Sequence, residues 1–171
     1  MTLRYPTILF DWGDTVMYDD DPASTVPMVE WDTVRAVPGI VEVLEYLLAS
    51  RRRIALATSA QISDEGQIRG ALARVGLDQY FFRIYCFKNT NLPKGEAFYR
   101  HILGDLGIPA SDALMVGDSF EKDTQIPNLL GMSAVWFNQR TEETRTEERL
   151  VTVHSMGDLY TYVSALDENR R

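Results

Sequence analysis

Asp11, Thr58, Lys94 and Asp118 lie far apart in the chain, yet three of them stand at or just beyond the end of an apolar run and Lys94 opens the helix after another. ILF at 8–10 stops in Asp11, IALA at 54–57 in Thr58 and Ser59, and ALMV at 113–116 in Gly117, Asp118 and Ser119. Lys94 follows Pro93 where a helical stretch opens. Two carboxylates, a hydroxyl and an ammonium suit a phosphoryl group held beside Mg²⁺. Crowded carboxylates repel unless a cation joins them, and Mg²⁺ prefers oxygen ligands. Once neutralised, Asp11 can attack an electrophilic phosphorus and form an aspartyl-phosphate that then hydrolyses. Lys94 and Thr58 would hold the phosphoryl oxygens as charge builds. Taken singly, an aspartate after a strand also reads as a turn or helix cap. Convergence of the strand ends decides between the two.

The elements that must bring these residues together read as alternating strands and helices. Strands are expected at 7–10, 54–57, within 81–87, at 113–116 and at 133–137, with a short edge strand at 150–153. Val41, Leu44, Leu47 and Leu48 recur at helical spacing, as do Ile68, Leu72 and Val75, then Phe98, Ile102, Leu103 and Leu106. Asp64 reads as a helix cap and Gly76 as a terminator. Lys94 is expected just inside its helix, with Pro93 at or near the first helical position. His101 lies between apolar helix positions and is expected to be partly buried or interfacial, not a ligand. RTEETRTEER at 140–149 reads as a solvated charged loop, and 155–166 as a closing helix. The alternation implies a Rossmann-like three-layer α/β/α sandwich around a mainly parallel sheet of five or six strands. In such a sheet the carboxyl ends of the strands share one edge, where ligands bind. One domain over 1–171 is expected, with 16–38 as a short flap over the strand ends.

Composition narrows the classes. The 171 residues carry 25 acidic against 17 basic side chains, a formal net charge of -8. This balance argues against a broad nucleic-acid or anionic-membrane surface. Cys86 is the sole cysteine, which excludes an internal disulfide and a thiolate cluster. The two histidines, His101 and His154, do not suggest a zinc site. No apolar run is long enough to span a membrane, and the start of the chain lacks a signal-peptide core. A cytoplasmic protein is expected, as monomer or weak dimer.

With these residues in place, the chain resembles the haloacid dehalogenase-like hydrolase superfamily. FDWGDTVM at 10–17 is similar to its first motif, with Asp11 as nucleophile and Thr15 in register. IALATS matches the second motif, LPKGEAF the third with Lys94, and LMVGDSFEKD the fourth with Asp118 and Asp123. PGIVEVL and GMSAVWF also look like the family. The resemblance covers roughly residues 5–140. It implies that Asp11, Asp118 and the Gly13 carbonyl bind Mg²⁺, and that Asp123 coordinates it or orients a bound water. It implies that Thr58 and Ser59 contact phosphate and that Lys94 pairs with Asp11 or phosphate. The implied function is a Mg²⁺-dependent phosphatase acting on a phosphorylated small molecule or phosphoprotein.

One position departs from the pattern. Two residues after the nucleophile the family usually has a second aspartate, the general acid and base, and here stands Gly13. Such groups contribute about 10²–10⁴-fold to rate. Asp14 reads as a turn carboxylate and not as the displaced acid. Weak activity, a substrate with a good leaving group, or another group reaching in, such as one of Asp19, Asp20 and Asp21, remain open. The intervals that hold cap modules in the family, 16–38 and 59–93, leave no room for one. A capless protein is therefore expected, with an open site. The alternatives are a non-catalytic or weakly active interaction protein on the same fold, and a phosphotransferase.

Overall fold

The computed structural model describes residues 3–168. Seven strands form one sheet: β1 (Thr7–Phe10), β2 (Arg53–Ala57), β3 (Arg83–Tyr85), β4 (Ala113–Gly117), β5 (Ser133–Phe137), β6 (Thr146–Glu147) and β7 (Leu150–Val153). Their order is β3-β2-β1-β4-β5-β7-β6, parallel throughout except for the β6–β7 pair. The expectation of five or six strands is corrected to seven. The added strand is β6, two exposed residues inside the charged 140–149 segment. Its pairing is by backbone, so its side chains carry no apolar signal.

The helices are α1 (Ile40–Ala49), α2 (Glu65–Arg74), α3 (Phe87–Thr90), α4 (Glu96–Leu106), α5 (Ile126–Leu129) and α6 (Met156–Glu168). Alternate strand residues face opposite layers. Ile8, Phe10, Ile54, Leu56, Leu114 and Val116 pack with Leu44 and Leu47 of α1, Ile68 and Leu72 of α2, and Leu159 and Val163 of α6. Leu9, Ala55, Ala57 and Met115 pack on the other face with Phe98, Tyr99 and Ile102 of α4. This is the three-layer sandwich expected from the alternation. Asp64 and Gln67 close a reciprocal capping box at the start of α2. No helix among the described residues is long and apolar enough to cross a membrane.

Register fixes where the strands end. Phe10 of β1 lies opposite Leu56 of β2 and Val116 of β4. Asp11 therefore stands level with Ala57 and Gly117, and Thr58 and Asp118 project one residue beyond on either side. The chain leaves β1 toward β2 and β3 on one side, then returns to β4 on the other. Asp11 sits at that switch point, where an open parallel sheet leaves a crevice.

Two local expectations change, and one turn has no counterpart among them. α4 begins at Glu96, so Lys94 precedes the helix, with Gly95 as its cap. His101 is exposed on α4, its ring edge-on to Tyr85 at 6.4 Å. After β4 the backbone forms a wide π-type turn, Phe120–Gln125, before α5. Pro127 lacks the N–H that a regular helix would need deeper in, and it sits in the first turn of α5.

Candidate active site

Asp11 remains anchored to the sheet, its N–H donating to the Val116 carbonyl at 2.9 Å. Its side chain leaves the sheet edge and accepts from Lys94 Nζ at 2.8 Å. The same Nζ lies 2.5 Å from Asp123 Oδ1. Lys94 and Asp123 are almost wholly buried, and Asp11 nearly so. Asp123 reaches this point from the π-type turn, which points its carboxylate back under β4. Its Oδ2 accepts the Ser119 N–H at 2.9 Å. Gly117 makes the approach possible, because a Cβ there would overlap the Asp123 carboxyl group.

Asp118 flanks Asp11 on the other strand. One carboxylate oxygen from each of Asp11, Asp118 and Asp123 lies within 4.8 Å of the others. The structure thus gathers Asp11, Lys94, Asp118 and Asp123. Thr58 and Ser59 border the same cleft. Thr58 is buried, and its Oγ1 accepts the Ala60 N–H at 3.1 Å, while Ser59 is exposed.

The electrostatics show a shortage of positive charge. Burial raises the Asp11 carboxyl above its ordinary range, Lys94 opposes the rise, and Asp118 adds to it. Burial, then the nearby Asp123, raises Asp118. Burial pushes Asp123 up to about 6 despite Lys94 beside it. Burial alone would lower the Lys94 ammonium, but Asp11 and Asp123 outweigh it and hold the group charged. Lys94 serves two of the carboxylates, Asp11 and Asp123, and Asp118 has only the guanidinium of Arg140 at 3.6 Å. Asp123 Oδ1 is buried with no aligned hydrogen-bond donor, the Lys94 contact being an ion pair off the hydrogen-bond line. An all-oxygen set with an orphaned buried oxygen fits a hard divalent cation such as Mg²⁺.

Gly13 and Asp14 lie in a tight turn closed by the Asp14 N–H on the Met17 carbonyl at 2.7 Å. Asp14 adopts φ 56, a left-handed conformation that aspartate tolerates better than most residues. It borders the cleft, and its carboxylate is held by two partners. Oδ1 accepts the Asp19 N–H at 3.1 Å and Oδ2 accepts from Arg140 at 2.7 Å. Arg140 also lies 3.6 Å from Asp118.

A cleft of about 420 Å³ opens above these residues. Asp19, Met28 and Trp31 of the 16–38 segment form one wall, and Ile62 lies on another. Arg74 of α2 ties that segment down, donating to the Val29, Trp31 and Asp32 carbonyls at 3.0, 2.5 and 3.0 Å. Trp31 is also fixed by its indole N–H on the Val26 carbonyl at 3.0 Å. Neither 16–38 nor 59–93 contains a cap module. Trp31 as cleft wall and Arg140 as a cation beside Asp118 are not among the site residues that the sequence pattern singles out. Neither residue stands at the end of an apolar run, which was the signal that revealed the rest.

A mostly parallel sheet bearing this acidic, lysine-centred site at its switch point is a Rossmann-like α/β architecture. Residues 24–137 match the family model described as haloacid dehalogenase-like hydrolase. The chain belongs to that family. It is 30% identical over 103 residues to the pyrimidine 5'-nucleotidase PynA of Streptococcus pneumoniae, a match covering 58% of this chain and 42% of that protein. The chain thus matches less than half the length of that curated relative. Among solved structures, an uncharacterized protein from Listeria monocytogenes serotype 4b superposes with TM-score 0.76 at 22% identity, covering 95% of this chain and 98% of that one. A haloacid dehalogenase-like family hydrolase from Xanthomonas campestris gives TM-score 0.75 at 15% identity, covering 98% of both chains. A predicted phosphoglycolate phosphatase from Haemophilus somnus gives 0.72 at 16% identity, covering 92% and 97%. At these identities the structural likeness is one of fold.

Proposed function

We propose that this protein is a Mg²⁺-dependent phosphomonoesterase in which Asp11 is the nucleophile. The observation that carries the reading is the buried Asp11–Lys94–Asp123 cluster with Asp118 alongside, at the carboxyl ends of β1 and β4. Asp11, Asp118 and Asp123 are the residues that would hold Mg²⁺. When bound, the ion supplies charge neutralisation for the carboxylates and for the phosphoryl oxygens. Lys94 holds Asp11 in place and offers a fixed ammonium to the phosphoryl group as charge builds. Thr58 and Ser59 border the phosphate from β2. An Asp11 oxygen forms a bond to phosphorus while the ester oxygen leaves, and water then releases phosphate from Asp11. Substrates are phosphorylated small molecules or phosphoproteins that enter the open cleft. The 5'-nucleotidase activity in the name of the Streptococcus relative puts nucleoside monophosphates first in the panel.

The test is phosphate release from a panel of monoesters, with and without Mg²⁺, by the full chain and by Asp11→Asn. Release that needs the metal and vanishes in Asp11→Asn is expected. Equal release by the variant removes Asp11 as nucleophile. Phosphate appearing on an added alcohol in place of free phosphate identifies a phosphotransferase.

A further inference from the structure

The position two after Asp11 carries no side chain, yet the space beside it holds a carboxylate. A Cβ placed on Gly13 would lie 3.3 Å from the Cβ of Asp19 and 3.6 Å from its Oδ2. Asp19 therefore stands directly beside the place where a side chain at position 13 would begin, and it lines the same cleft as Asp11.

Its placement is built from both sides. On one side, Asp14 accepts the Asp19 N–H. On the other, Arg35 grips its two neighbours. The guanidinium makes two bonds to the Asp20 carboxylate, at 2.9 and 2.6 Å, and lies over the Tyr18 ring at 4.1 Å. The Tyr18 N–H donates to the Arg35 carbonyl at 3.0 Å. Asp14 is thus tied to Arg140 and Asp20 to Arg35, while the Asp19 carboxylate, which receives the Asp21 N–H, lines the cleft without a cation of its own among the described ion pairs. Backbone conformation does not explain the glycine, because Gly13 lies outside the left-handed region. A side chain at position 13 would press on Asp19.

We propose that Asp19 is the general acid and base of this site, a catalytic residue reaching in from the 16–38 segment. The proposal rests on the phosphatase reading above. In the first half-reaction the Asp19 carboxylic acid gives its proton to the ester oxygen as the bond from phosphorus to that oxygen breaks and the bond from Asp11 to phosphorus forms. The alcohol leaves. In the second, the Asp19 carboxylate takes a proton from the water that attacks phosphorus. The bond between Asp11 and phosphorus breaks, its electron pair returns to Asp11, and phosphate departs. Ester plus water gives alcohol plus phosphate, and both carboxyl groups end as they began.

The experiment compares kcat/KM for a nucleoside 5'-monophosphate, whose alkoxide is a poor leaving group, with that for 4-nitrophenyl phosphate, whose phenolate needs little protonation. In Asp19→Asn the ratio of the first to the second is expected to fall by at least tenfold, general acid–base groups being worth about 10²–10⁴-fold in rate. A smaller fall in the ratio overturns the proposal, including the case where both rates drop together. If Asp19→Asn does not fold, Asp19→Gly and the swap Gly13→Asp/Asp19→Gly are read the same way. Recovery of the ratio in the swap supports the assignment, and equal ratios in the two variants overturn it. If the unaltered chain hydrolyses neither ester, the phosphatase reading falls and this proposal with it. If hydrolysis vanishes in Asp11→Asn but the ratio ignores Asp19, only this proposal falls.

Discussion

Gly117 and Asp123 occupy one another's space: the last residue of β4 has no side chain, and the Asp123 carboxylate fills the place where one would be. Gly117→Ala must push Asp123 away from Lys94 or bend β4. Overpacking of this kind costs about 1–3 kcal/mol. The expected outcome is a lower urea midpoint and a Mg²⁺-induced rise in Tm smaller than that of the unaltered chain. Denaturation with and without the ion reads both.

Lys94→Met keeps the length of the side chain and removes the cation that Asp11 and Asp123 share. Breaking a buried ion pair from one side costs roughly 3–5 kcal/mol, because the remaining charge is left uncompensated. The loss is expected to shrink when Mg²⁺ is present, since the ion answers the same charges. Urea titrations at neutral pH with chelator and with Mg²⁺ measure the difference.

Arg74 joins α2 to the 16–38 segment through three backbone carbonyls. Arg74→Ala leaves the sheet and its helices intact and loosens one wall of the cleft. Limited proteolysis is expected to cut first within 16–38, and faster than in the parent. KM for the monoester is expected to rise more than kcat falls.

Tyr46 of α1 donates to Asp167 of α6 at 2.8 Å. Burial, then this bond to a carboxylate, holds its phenol up to about 12 against an ordinary value of 10.0. A group whose pKa is raised by folding contributes its stability fully below the unfolded value and loses it as pH rises through the folded one. The stability that Tyr46 brings is therefore complete below about pH 10 and lost by about pH 12. Tyr46→Phe is expected to flatten the alkaline limb of the stability curve over that window. Urea midpoints on either side of it test this.

The sandwich was legible because each buried strand is an apolar run and each helix shows one apolar stripe. Asp11, Thr58, Lys94 and Asp118 were legible for a related reason: a parallel sheet converts the ends of such runs into neighbours. Asp123 needed the family pattern, since a π-type turn and an absent Cβ at Gly117 carry it inward. Asp19 was one of three adjacent aspartates with no local mark to separate them. What distinguishes it is tertiary, namely the bond from Asp14 and the grip of Arg35 on Tyr18 and Asp20. The two-residue β6 and the cation of Arg140 were hidden in a segment whose composition is uniformly charged.

The central place of β1 sets an order of events during synthesis. Asp11 emerges early, but one of its two flanking strands, β4, and the turn that bears Asp123 lie about a hundred residues later. A nascent chain stopped before that turn carries Asp11 and Asp118 without Asp123 and cannot complete the ion pocket. Mg²⁺ therefore lacks its full grip until the sheet is nearly whole. An ion held as proposed would be a clasp on a finished body, and not a seed around which the body grows.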